Sequence, residues 1–84
     1  MSRQDKLLNK LADFKASMTW AELVTLMQAR GFTLLNSKRG SGRKFFHAEK
    51  DLVVILHEPH PSKTLKPYMK AAALDALRKV GVSI

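Results

Sequence analysis

Apolar positions recur with a helical period in three parts of the chain, and three short apolar runs between them read as strands. Leu7, Leu11 and Phe14 are spaced by four and three, with Leu8 beside them and charges on the other faces. That spacing predicts a short helix over residues 3–14. A helix of this length needs tertiary packing to persist, so it is expected to rest on the domain or on a partner. A second helix is expected from Thr19. Thr19-Trp20-Ala21-Glu22 has the form of a capping box, in which the threonine oxygen accepts the Glu22 amide and the glutamate reaches back. Trp20, Leu23, Val24 and Met27 then make one apolar stripe, and Gly31 supplies the left-handed residue that closes the helix. On that stripe Trp20 reads as core and not as a binding platform.

Phe32-Thr33-Leu34-Leu35-Asn36 predicts the first strand and Phe45-Phe46-His47 the second, with Glu49-Lys50-Asp51 turning the chain into a third. The third strand, Leu52 to His57, is branched and apolar on both faces, the pattern of a strand at the centre of a sheet. Pro59 cannot pair, so the strand must stop near His57. Residues 58–66 form a loop with two prolines. Pro67 suits a first helical turn. Met69, Ala72, Ala73, Ala76, Leu77 and Val80 carry the helical repeat over residues 68–80, with Lys70, Arg78 and Lys79 facing water and Gly81 ending the helix. The order helix, helix, strand, strand, strand, helix predicts an α+β fold: a three-stranded antiparallel sheet with helices on one face. Residues 1–16 are expected to be a helical extension and residues 17–84 the domain.

Eighty-four residues allow one small core. The absence of cysteine excludes disulfides and thiolate metal sites. No apolar run is long enough to span a membrane, and no apolar signal region follows the N-terminus, which points to a cytoplasmic protein. The net charge of +8, from fifteen Lys and Arg against seven Asp and Glu, points to a polyanion: a nucleic acid, or an acidic protein that mimics one. The charge is densest in Ser37-Lys38-Arg39-Gly40-Ser41-Gly42-Arg43-Lys44. There Lys38, Arg39, Arg43 and Lys44 are candidate phosphate ligands, with Ser41 and amides freed by the glycines as hydrogen-bonding groups. The spacing is not that of a P-loop, and a plain hairpin loop with solvated charges is the other reading.

His57 and His60, with Glu58 between them, are the one compact cluster of candidate chemical groups. A metal site needs three or more suitably spaced ligands, and the few carboxylates are scattered, so no metal and no cofactor is expected. Histidine alone can move protons near neutrality. In RNA it can deprotonate the 2′-hydroxyl for attack on the neighbouring phosphate while Lys and Arg stabilise charge on the phosphate oxygens. A loop or capping role without chemistry is the alternative for each. His47, in mid-strand after two phenylalanines, is expected to be structural or to lie at an RNA edge.

Gly40-Ser41 after the first strand, the aromatic second strand, the apolar third strand and Leu65-Lys66-Pro67 at a helix start together resemble the HicA toxins over about residues 20–82. That resemblance implies a double-stranded-RNA-binding-domain-like fold, helix, three strands, helix. It also implies a metal-independent endoribonuclease that cuts mRNA and is held inactive by a HicB antitoxin, monomeric or weakly dimeric when free. The common family pattern is Gly-Ser-His-His, with the first histidine catalytic. Here Gly42 and Arg43 follow Ser41. The chain resembles a divergent branch with His-x-Pro-His-Pro after the third strand, matched by His57, Pro59, His60 and Pro61. Either the base has moved to His57 or His60, or the domain binds RNA without cutting it. A DNA-binding regulator is a third reading, but the helices over residues 19–30 and 67–80 are separated by strands and make no helix-turn-helix.

Overall fold

The computed structural model of the chain describes residues 3–36, 42–59 and 62–82. Its elements are α1 (Arg3–Ala12), α2 (Trp20–Ala29), β1 (Phe32–Asn36), β2 (Gly42–His47), β3 (Leu52–His57) and α3 (Pro67–Lys79). The strands form one antiparallel sheet in the order β1-β2-β3. The fold is the α+β arrangement read from the sequence.

The start of α2 and the ends of α2 and α3 have local causes. At α2 the capping box is complete: the Thr19 hydroxyl accepts from the Glu22 N–H at 3.2 Å, and Glu22 Oε1 accepts from the Thr19 N–H at 3.0 Å. Gly31 and Gly81 follow α2 and α3 with φ of +96°, the conformation that costs glycine least. After α3 the Val82 N–H returns to the Leu77 carbonyl at 2.9 Å, closing the last turn.

The core lies between the inner face of the sheet and α2 and α3. Phe45, at the middle of the central strand, is fully buried and meets Trp20 with ring centroids 5.6 Å apart. Leu23, Leu26 and Met27 of α2 and Met69, Ala73 and Leu77 of α3 complete it. Trp20 is therefore core, as its stripe implies.

α1 folds back on the domain and packs against α2 and α3. Leu7 and Leu11 enter the core, and Lys10 Nζ donates to Glu22 Oε2 at 2.7 Å. The helix ends at Ala12, so Phe14 falls outside the predicted stripe and is 55% exposed. Lys70 corrects the sequence reading further. It does not face water but is 2% exposed, and its Nζ donates to the carbonyls of Asp13 (2.6 Å) and Ala16 (2.8 Å). The segment after α1 crosses over α3 at that point and gives the ammonium group oxygen partners, which is what a buried charge needs.

β3 also departs from expectation. It is an edge strand, and β2 is the central one. Leu56 faces the core, while Val53 and Ile55 are 49% and 59% exposed. Successive hairpins place strands side by side in chain order, so the last strand lands at an edge. An apolar run reads the same whether its outer face is covered or open.

Candidate active site

The last residue of β3, His57, pairs with the first residue of β2, Gly42. Because side chains alternate along a strand, Gly42, Lys44 and Phe46 of β2 share the outer face with Val53, Ile55 and His57 of β3. Phe45 and Leu56 point the other way, into the core. Gly42 has no side chain to occupy the space above it, and the His57 ring lies there. A Cβ on Gly42 would sit 3.7 Å from His57 Cε1 and 3.9 Å from Nδ1. Lys44 faces Ile55 one pair further in and is exposed. It is the diagonal neighbour of His57, a relation that places Cα atoms roughly 7–8 Å apart.

Arg43 occupies the opposite face. Its Nη2 is 3.6 Å from Glu58 Oε1, and its Nη1 donates to the Gly42 carbonyl at 3.2 Å. Glu58 also holds Lys63 Nζ at 2.7 Å through Oε2. Arg43 and Lys44 are thus strand residues on two faces and not adjacent members of one loop, because β2 starts three residues earlier than its aromatic run suggested. Of the other predicted site residues, Lys38, Arg39, Ser41 and His60 lie outside the described residues.

His47 has a structural setting. It is buried, its Nδ1 accepts from the Lys50 N–H at 3.2 Å, and its ring meets Phe32 edge-on at 5.0 Å. A Cβ on Gly31 would come within 2.9 Å of His47 Nε2. Imidazole and glycine therefore pack as a pair at the end of α2.

Beside His57 the chain forms a cleft of about 190 Å³ that sequence reasoning missed. Pro59 and Met69 line it as buried apolar groups, and Thr64, Lys66 and Tyr68 are on its exposed rim. Two backbone hydrogen bonds fix this rim to the start of α2: Trp20 N–H to Lys63 O and Leu65 N–H to Met18 O, each 2.8 Å. The available signal was Tyr68 itself, an aromatic residue off the apolar repeat of α3. Among the described residues, no three His, Asp or Glu side chains are disposed to hold a metal ion, and no helix is long and apolar enough to cross a membrane.

Residues 20–82 match the family model of the HicA toxin of bacterial toxin–antitoxin systems. The chain belongs to the HicA family. The matched segment begins at the first residue of α2, so α1 lies before the HicA segment although it packs into the same core. Comparison with curated proteins and with solved structures gave no match. Membership makes the chain a toxin of the toxin–antitoxin type with an antitoxin as its counterpart, and the observed sheet with its helices agrees with the HicA fold.

Proposed function

We propose that this HicA toxin is a metal-independent endoribonuclease acting on mRNA in the bacterial cytoplasm, with His57 as its general base, and that a HicB-type antitoxin restrains it. The observation that carries this reading is the position of the His57 ring over Gly42. The family pattern has its catalytic histidine at the position of Gly42. In this chain the imidazole comes instead from the paired residue of the neighbouring strand and occupies the space beside the same backbone position.

The chemistry follows from the groups at hand. His57 takes the proton of a ribose 2′-hydroxyl, and the oxygen attacks the adjacent phosphorus in line. The bond to the 5′-oxygen breaks, leaving a 2′,3′-cyclic phosphate on one fragment and a 5′-hydroxyl on the other. The leaving oxygen must receive a proton. His60, three residues further on, is assigned from the sequence either as that acid or as the group that orients the phosphate. Lys44, exposed and diagonal to His57, is placed to offset the charge that grows on the phosphate oxygens. Lys38, Arg39 and Ser41 are assigned to backbone phosphates from the sequence. Arg43 reaches the same end of the sheet from the inner face, where its charge is shared with Glu58.

The test is the chemistry of the ends. Purified protein with labelled RNA in excess chelator should give fragments with cyclic phosphate termini. Arrest of bacterial growth on expression, relieved by His57→Ala, is the corresponding test in cells.

A further inference from the structure

The cleft beside His57 joins two buried apolar side chains to an exposed aromatic ring. Its buried part is apolar and supplied by Pro59 and Met69. Its rim is held in place by the two backbone bonds to the start of α2. At that rim the ring of Tyr68 is 63% exposed, on the first turn of a 13-residue helix whose buried face is carried by other residues. The ring takes no part in the core, to which α3 contributes Met69, Ala73, Leu74, Ala76 and Leu77. Lys66 is exposed beside it, and Glu58 and Ser62 also line the cleft, Glu58 holding Lys63 Nζ at 2.7 Å.

We infer that this cleft is a nucleobase subsite: it takes one unpaired RNA base next to the scissile phosphate, stacked on Tyr68. The inference rests on the proposed RNA substrate, and it adds the part of that substrate the protein grips. The apolar side chains of Pro59 and Met69 and an exposed aromatic ring suit the face of a base, which every nucleotide offers. Lys66 suits the phosphate that accompanies it. His57 lines the same cleft, so a base held there leaves its neighbouring ribose at the imidazole. A base that stacks in a cleft must be splayed from its helix, so the preferred target is single-stranded RNA, although the fold resembles a double-stranded-RNA-binding domain.

The test is a binding experiment with the full chain and labelled single strands carrying 2′-O-methyl sugars, which lack the nucleophile and are not cut. Wild type should bind a base-bearing strand about tenfold more tightly than Tyr68→Ala does, with Tyr68→Phe retaining the wild-type affinity. On an abasic strand of the same length, wild type and Tyr68→Ala should bind alike. Tyr68→Ala binding both strands as wild type does would overturn the proposal. So would unchanged RNA binding joined to a loss of affinity for the antitoxin, since the ring would then be a protein contact. Because no cleavage is involved, a protein that fails to cut RNA yet shows the base-dependent loss sinks the nuclease and keeps the subsite. A protein that cuts RNA with Tyr68 irrelevant does the reverse.

Discussion

The imidazole of His57 lies over the backbone of Gly42, 3.7 Å at nearest from where a side chain on that glycine would begin. Two positions on paired strands therefore share one space, and the histidine comes from β3. Moving it back is a direct check. His57→Ala should lower cleavage about 10²–10⁴-fold, the range for loss of a general base. Gly42→His added to His57→Ala should recover part of that loss, measured as the rate of RNA cutting. Gly42→Ala should be well tolerated for folding, because its contacts with the ring are ordinary van der Waals distances.

Gly31 and Gly81 share a φ of +96° but differ in what surrounds them. A Cβ at Gly31 meets His47 Nε2 at 2.9 Å, whereas at Gly81 nothing lies within 4 Å. Gly81→Ala should cost about 1 kcal/mol, the conformational part alone. Gly31→Ala should cost clearly more, and the excess should vanish when Gly31→Ala is compared with its parent in a His47→Ala background. Denaturant midpoints of wild type, the three single variants and the double variant measure this.

Lys70 ties the segment after α1 to α3 through two carbonyls. Lys70→Met should destabilise the protein by about 2 kcal/mol, because it removes two hydrogen bonds from a charged donor to the Asp13 and Ala16 carbonyls. The loss should appear first as faster amide exchange in α1, which that segment anchors.

Glu22 links the capping box of α2 to α1. Its carboxyl is held below the ordinary value of 4.5, first by the hydrogen bond from Lys10 and then by the Thr19 backbone N–H. A lowered folded-state pKa stabilises the fold above the ordinary value, and that contribution is lost as pH falls through the lowered one. Glu22→Gln keeps a side chain able to cap but removes the charge. It should be less stable than wild type by roughly 0.5 kcal/mol at neutral pH, since the pair is partly exposed. The two proteins should converge in acid, below pH 4.5, when thermal midpoints are compared across pH.

The element order and most element boundaries were legible because each has a local signal. Thr19 and Glu22 mark a helix start, Gly31 and Gly81 mark stops, and the runs from Phe32 and Leu52 are strands. Other features depend on where distant segments land. Nothing near Lys70 announces that the chain after α1 will cross it. The run Leu52–His57 carries no sign that Val53 and Ile55 stay open at a sheet edge. The candidate site divides in the same way. His57 stood out as a polar residue ending an apolar run, but its meeting with Gly42 depends on the register of β2 with β3. The opposed facing of Arg43 and Lys44 depends on β2 beginning at Gly42, before its aromatic residues. The cleft at Tyr68 requires the rim segment to be pinned to α2 by residues more than forty positions away in the chain, Trp20 to Lys63 and Met18 to Leu65.

The central claim is that His57 carries metal-independent RNA cleavage. It is tested most directly by incubating wild type and His57→Ala with labelled single-stranded RNA in excess chelator and resolving the products. The account predicts cyclic-phosphate fragments from wild type and at least about 100-fold slower cutting by His57→Ala, with RNA still bound. RNA retained but uncut by wild type, or cut equally fast by His57→Ala, would contradict it.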